Sequence, residues 1–250
     1  MSHLDQVAVI TGGSTGIGFS IAEELIRKGA KRVYITGRTE KTLNEAQEKL
    51  GEKALTIVSD VSKLSDVEKI KGIIEEEGYS LDMIFANAGI AEKNTFGQTT
   101  PEEFDRTFNI NVKGVFFTVQ TLMGLLKNEG NIVLTGSIVG NKGMPNLSLY
   151  NASKAAVRSF ARSWASDLKE RKIRVNSISP GMTYTPIMKN GLKMDDAELT
   201  ALKEFAVSAV PAARIAAPEE IARAAVFLSS RDASYINGIE FTIDGGYSQI

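Results

Sequence analysis

Tyr150 and Lys154 stand four residues apart, and Ser137 lies thirteen residues before the tyrosine. If the pair shares a helix, this spacing sets a phenol beside an ammonium on one face. A phenol with a pKa of about 10 is a poor base near neutrality. One positive charge about 5 Å away, at an effective dielectric of ~20, stabilises the phenolate by roughly 3 kcal/mol, or about 2 pKa units. The trio therefore predicts a tyrosine brought into working range by Lys154, exchanging a proton with a substrate oxygen that Ser137 holds. The same Tyr-x3-Lys spacing also arises in ordinary helices as a half-buried ring beside a solvated lysine. What accompanies it decides its meaning.

Its companion is a glycine-rich turn near the start of the chain, Thr11-Gly12-Gly13-Ser14-Thr15-Gly16-Ile17-Gly18. The turn follows a short apolar run and precedes an amphipathic stretch. That is where a backbone can approach a pyrophosphate closely while a helix N-terminus supplies amide donors. Its spacing is Gly-x3-Gly-x-Gly rather than the commoner Gly-x-Gly-x2-Gly. Gly12, Ser14, Thr15, Gly16, Ile17 and Gly18 are the expected phosphate cradle. After the next strand, the place where an NAD site usually carries an acid holds Gly37, followed by Arg38. A guanidinium can grip a 2′-phosphate with two charge-assisted bonds, so NADP(H) is the expected cofactor.

Short apolar runs alternate with amphipathic stretches along the chain. Strands are expected over Val7–Thr11, Val33–Thr36, Ala54–Val58, Met83–Asn87, Asn131–Thr135, Arg174–Ser179 and Glu240–Ile243. Their continuous apolar character suits strands buried on both faces. Helices are expected over Ile17–Lys28, Glu40–Leu50, Lys63–Glu77, Pro101–Leu126, Leu149–Arg171 and Pro218–Ser229. Thr100-Pro101-Glu102-Glu103 marks one helix start clearly, with a cap, a proline and a glutamate in the positions each favours. The alternation implies an α/β, doubly wound parallel sheet in one domain over residues 1–250. One excursion, at about 184–210, interrupts it as a lid-like segment. There Asp195 and Glu198 can cap a short helix with Leu199, Leu202 and Phe205/Ala206 on one face.

Bulk properties remove several functions. The 250 residues carry a net charge of −1 without a long run of like charge, which argues against nucleic acid or an anionic membrane as partner. There is no cysteine, hence no disulfide or thiolate chemistry, and the single histidine, His3, precedes the first strand. No metal site and no histidine-based triad are expected. With no signal-like N-terminus and no apolar stretch of membrane-spanning length, a cytoplasmic location is the expectation.

Further ordered matches join the turn and the trio: Asp60-Val61, Asn87-Ala88-Gly89, Asn111, Pro180-Gly181 and Asp244-Gly245-Gly246. Over nearly its whole length the chain resembles the short-chain dehydrogenase/reductase family. The resemblance implies a Rossmann-like, doubly wound, seven-stranded parallel sheet and a homotetramer. It makes Tyr150 the general acid/base, with Ser137 orienting the substrate and Lys154 lowering the tyrosine pKa and binding ribose. Asn111 becomes the holder of a water in a proton relay. Asp60 and Val61 would meet the adenine, and Asn87, Ala88 and Gly89 would lie along the cofactor. Pro180, Gly181, Thr183 and Thr185 would face the nicotinamide end, Thr185 at its carboxamide. Val139, Met144, Leu147, Tyr184, Ile187, Met188 and Leu192 flank the catalytic segment and are expected to wall the substrate pocket and lid.

The function expected is reversible hydride transfer between NADP(H) and a ketone or secondary alcohol with apolar substituents. Similar residues serve 3-oxoacyl-carrier-protein reductases and sugar dehydrogenases; Lys142, Lys189 and Lys193 could offer a carrier protein a basic rim. A non-catalytic NADP(H)-binding sensor or scaffold is the alternative outside enzymes.

Overall fold

Both faces of the first strand are apolar because both are covered. Ala8 and Ile10 point into one buried cluster with Ile21, Leu25, Ala222 and Val226. Val7 and Val9 point into another with Ile70, Val115, Val119 and Val157. Side chains alternate along a strand, so a continuous apolar run needs a helical layer on each side.

The computed structural model describes residues 3–250. Its seven strands are β1 (Val7–Ile10), β2 (Arg32–Gly37), β3 (Ala54–Val58), β4 (Leu81–Ala86), β5 (Leu126–Thr135), β6 (Arg174–Pro180) and β7 (Glu240–Ile243). They pair in parallel in the order β3-β2-β1-β4-β5-β6-β7, a Rossmann-like sheet in one domain. The helices α1 (Gly16–Arg27), α2 (Glu40–Leu50) and α9 (Pro218–Ser229) supply one layer. The other is built from α3 (Leu64–Glu76), α5 (Gly114–Leu122) and α6 (Ser148–Asp167). Strand order reverses between β1 and β4, which opens a crevice beyond their C-terminal ends.

The helix expected over 101–126 is shorter and not uniform. It runs as α4 (Pro101–Phe108), a π-helical turn over Asn109–Lys113, and α5, which stops at Leu122. Leu125 and Leu126 instead join the sheet: the Leu81 amide donates to the Leu125 carbonyl, and Leu126 pairs with Leu81. The polar Lys127–Gly130 then loops outward before Asn131 rejoins the ladder opposite Met83. The π turn adds a residue to the helical repeat, a distortion that recurs at functional sites. Here it coincides with Asn111, which is fully buried.

Two more helices, α7 (Pro186–Asn190) and α8 (Asp196–Ala209), fill the 184–210 excursion. Asp195 caps α8 as its residue type suggests: its carboxylate accepts from the Glu198 amide at 2.8 Å, and the Glu198 side chain accepts from the Asp195 amide at 3.0 Å. Leu199 and Ala206 are buried, but Phe205 turns outward, edge-on to Tyr247. Among the described residues, no helix is long and apolar enough to cross a membrane.

Candidate active site

The glycine turn lies at the junction of β1 and α1. Gly12 and Gly16 hold φ of +65° and +56°, a left-handed backbone that costs other residues strain. Gly18 is excluded from any larger side chain: a Cβ there would sit 2.2 Å from the Gly12 carbonyl oxygen and 2.6 Å from Asn87 Nδ2. Thr15, the residue before α1, is extended and makes no side-chain cap, and the first turn holds no acid. Opening amides of α1 are thus left for an anion. Asn87 fastens the turn from behind, its Nδ2 donating to the carbonyls of Thr11 at 3.1 Å and Gly12 at 3.2 Å. Its Oδ1 accepts from the Thr135 hydroxyl at 3.1 Å, so one amide ties the ends of β1, β4 and β5.

The crevice continues past the end of β2. At Gly37 a Cβ would meet Ser14 Oγ at 2.9 Å, a contact that rotation of the serine side chain relieves. Arg38 is exposed at the rim, and Ser14, Thr39 and Thr42 line the same end. Asp60 accepts from the Ser62 amide at 3.0 Å and its hydroxyl at 2.7 Å. Burial opposes its charge, but those bonds and the charges of Arg38 and Lys63 prevail and hold the carboxyl below the usual range. Thr36 Oγ1 and Ser59 Oγ are buried on this wall without a hydrogen-bond partner among the described residues. A glycine cradle, free helix amides and unpartnered hydroxyls together fit a dinucleotide, with Val61, Ala88 and Gly89 along the same wall.

Ser137 follows β5, while Tyr150 and Lys154 lie on one face of α6. The Ser137 hydroxyl faces Tyr150 across the cleft and favours its ionised form, and it accepts from the Val139 amide at 3.4 Å. Lys154 Nζ donates to the Thr135 carbonyl at 2.8 Å. Asn111 is tied to Ile90, accepting from its amide at 2.8 Å and donating to its carbonyl at 2.9 Å, and it donates to Ser153 Oγ at 3.0 Å. Gly89 is the spacer between these groups: a Cβ there would stand 3.2 Å from Asn111 Oδ1 and 3.3 Å from Lys154 Nζ.

Packing within the protein alone shifts the tyrosine opposite to the lowering expected of Lys154 helped by an oxidised nicotinamide. Burial pushes Tyr150 up to about 12, against a smaller opposing effect of the Ser137 hydrogen bond. Burial also pushes Lys154 down to about 8. The ammonium does lie over the Tyr150 ring, 5.7 Å from its centroid, but it donates to a main-chain carbonyl in a desolvated pocket. Desolvation of the charged form then outweighs the charge–charge attraction.

Beyond Tyr150 the cleft, about 550 Å³ in all, is walled by apolar groups. Val139, Met144, Leu147, Ile187, Met188 and Leu192 line it as expected from the sequence. Tyr184 does not: its half-exposed ring lies outside under the Lys203 ammonium, 5.5 Å away. The Thr183–Ala216 bridge fixes the backbone so that Thr183 turns inward and Tyr184 outward. Thr183 Oγ1 donates to the Gly181 carbonyl at 3.1 Å, and Pro180, Gly181 and Thr185 also line the cleft. Thr185 faces the glycine turn, its Cβ 3.4 Å from where a Gly16 Cβ would be. Sequence reasoning missed Ala91, Met194 and Tyr247 as wall residues. Tyr247 had one legible signal, an aromatic ring just after the Asp244-Gly245-Gly246 turn. Of all the lining residues only Arg38, Asp60 and Lys154 are charged.

Comparison with known proteins bears on this geometry. A family model described as enoyl-(acyl carrier protein) reductase matches residues 12–248. An oxidoreductase of Sarocladium schorii is 39% identical over 98% of this chain and 96% of its own length. The chain belongs to the short-chain dehydrogenase/reductase family. Within that family it is 35% identical to a trihydroxynaphthalene reductase of Colletotrichum orbiculare, covering 98% of this chain and 90% of that one. Levodione reductase superposes with a TM-score of 0.90 at 33% identity, covering 98% of both chains. A 3-ketoacyl-(acyl-carrier-protein) reductase from Brucella melitensis, complexed with NADH, gives 0.88 at 31% identity over 99% of this chain and 100% of its own. These short-chain dehydrogenase/reductase relatives establish an oxidoreductase; the substrate and the choice of dinucleotide are matters for the site.

Proposed function

We propose that this enzyme reduces uncharged ketones with apolar or aromatic substituents, using NADP(H), and runs in reverse as a secondary-alcohol dehydrogenase. The observation that carries the reading is the cleft beyond Tyr150, which is broad, methionine-rich and free of ionised side chains apart from the engaged Lys154. A ketone entering it meets the Ser137–Tyr150 hydroxyl pair as its polar anchor. Ser137 holds the carbonyl oxygen, and Tyr150, kept protonated by burial, donates a proton to that oxygen. When bound, the dinucleotide supplies the hydride. Lys154 and Asn111 keep a polar path behind the tyrosine.

Methionines Met144, Met182, Met188 and Met194 shape themselves to flat rings without demanding one contour. The name of the Colletotrichum relative, a reductase of a hydroxylated naphthalene, supports a fused aromatic ketone as the substrate class. Arg38 at the rim and a glycine in place of an acid at position 37 support NADP(H), although the Brucella protein was solved with NADH. That neighbour's name also keeps a 3-oxoacyl-carrier-protein substrate in play. Against it, Lys142 lies over the Tyr247 ring at 4.1 Å and Lys189 pairs with Asp196 at 2.7 Å, so two of the three rim lysines are engaged. The excursion at 184–210 serves as the lid. A homotetramer is part of the same reading, carried from the family resemblance; the exposed Phe104, stacked on Phe108 at 4.4 Å, offers another subunit an apolar group.

The test is Tyr150→Phe, assayed by loss of NADPH absorbance on bicyclic aryl ketones beside a 3-oxoacyl-carrier substrate. Turnover should fall by about 10²–10⁴-fold with NADPH affinity unchanged. Retained turnover removes the assignment, and a preference for the carrier-linked substrate replaces the aryl ketone with the acyl chain.

A further inference from the structure

The edge strand β7 carries an acid that the reaction does not use directly. Glu240 is a carboxylate whose side chain is only 10% exposed. One oxygen, Oε2, accepts from Asn141 Nδ2 at 2.6 Å, and the other, Oε1, accepts from the Ser179 hydroxyl at 2.7 Å. Arg158 NH1 approaches Oε2 to 3.6 Å, while Arg158 Nε is buried and has no hydrogen-bond partner among the described residues.

Each partner belongs to a different piece of the proton-transfer site. Asn141 ends the short turn that begins at Ser137. Arg158 is one helical turn beyond Lys154 on α6 and two beyond Tyr150. Ser179 lies on β6, and its hydroxyl is where a Cβ on Gly136, the residue before Ser137, would come within 3.0 Å. The turn itself leaves no slack against α6: a Cβ on Gly140 would be 3.2 Å from the Ala155 nitrogen and 3.3 Å from the Lys154 carbonyl oxygen. The Ser137 turn is thus pressed between α6 and a single carboxylate that also holds α6.

We propose that Glu240 is a positioning residue for proton transfer, setting the Ser137 hydroxyl against the Tyr150 hydroxyl by tying the Ser137 turn, α6 and β6 to one anchor. A buried carboxylate accepting several bonds holds its partners in one geometry, and small errors of placement at a reacting group are amplified in rate. The inference rests on the proton-transfer reading of Ser137 and Tyr150 given above. It leaves the glycine cradle alone, since Glu240 does not line the cleft.

The experiment compares Glu240→Ala, Glu240→Gln and Asn141→Ala with the unaltered enzyme and with Tyr150→Phe, in ketone reduction with NADPH. Glu240→Ala should lower kcat by roughly 10–100-fold, with KM for the ketone and the Kd of NADPH within about 2-fold. The solvent deuterium isotope effect on kcat should rise as proton transfer becomes limiting. Glu240→Gln keeps the shape and one acceptor oxygen for Ser179, but its NH2 then meets the Asn141 and Arg158 donors, so it should restore only part of the rate lost in Glu240→Ala. Asn141 is exposed, so its truncation leaves folding alone and should still lower kcat by about 3–10-fold. An unchanged kcat in Glu240→Ala and Asn141→Ala, or a fall matched by weaker NADPH binding with no isotope effect, overturns the positioning role. An active Tyr150→Phe instead overturns the reading beneath it; an inactive Tyr150→Phe beside an unaffected Glu240→Ala isolates the failure to Glu240.

Discussion

Lys154 is a buried ammonium that donates to a neutral carbonyl and lies 5.7 Å from the Tyr150 ring centroid, with no carboxylate among the described residues to balance it, and this has a measurable consequence for stability. Burial lowers its pKa from 10.5 to about 8. Over that interval the unfolded chain binds more protons than the folded one, so this group makes stability rise with pH between about 8 and 10.5. Below pH 8 the full penalty is present. A difference of about 2.5 units corresponds to roughly 3 kcal/mol. Replacing Lys154 by Met keeps the length, removes the charge and forfeits the bond to Thr135, a loss of about 1–2 kcal/mol. The net expectation is that Lys154→Met is more stable than the parent by about 1–2 kcal/mol at pH 7, or about 2–8 °C in melting temperature. Ketone reduction should nevertheless be lost. The assay is thermal unfolding of both proteins without dinucleotide at pH 7 and at pH 10.5, together with turnover at pH 7. The advantage should shrink to nothing, or reverse, at the higher pH, where the parent lysine is neutral in the fold and only about half charged in the unfolded chain. A variant that melts below the parent at pH 7 by several degrees, with a gap that does not move with pH, refutes the reasoning. The lysine would then be a stabilising member of the core rather than a strained functional one.

Gly18→Ala drives a Cβ to 2.2 Å from the Gly12 carbonyl oxygen and so should cost about 1–3 kcal/mol of stability. NADPH affinity should fall at least 10-fold by fluorescence titration; an unchanged affinity means the cradle is not the binding turn. Arg38→Asp should weaken NADPH by about 10–150-fold, the worth of a charge-assisted grip on one phosphate. NADH should bind as before, and an equal effect on both dinucleotides makes Arg38 a general contact. Asp195→Ala removes the cap of α8 and should destabilise it by about 1 kcal/mol. If this segment is the lid, ketone KM rises a few-fold while kcat holds, and an unaltered KM leaves α8 without a role in binding.

Much of the architecture was legible because its causes are local. Continuous apolar runs need two covered faces, and Thr100-Pro101-Glu102-Glu103 and Asp195 with Glu198 cap helices by reaching only three residues along the chain. The glycine turn is equally local: positive φ at Gly12 and Gly16 is a demand of the backbone that residue type alone reveals. Spacing put Tyr150 and Lys154 on one helical face. The matches that marked the family likewise predicted which residues meet at the crevice.

What escaped the sequence depended on contacts distant along the chain. The helix over 101–126 ends early because Leu126 is claimed by Leu81 across the sheet, a competition that helical periodicity cannot register. Tyr184 is an apolar ring in a segment of wall residues, but a bridge from Thr183 to Ala216 decides that it faces out. Tyr247 enters the cleft from the far C-terminus for the same kind of reason. The desolvation that raises Tyr150 and lowers Lys154 was not legible either, because spacing reports proximity, whereas desolvation is set by everything packed around the pair. Residue types and their order determined the fold and which residues line the crevice; the packing of remote segments decided the polarity of the pocket, the burial of Tyr150 and Lys154 and the partners of Glu240.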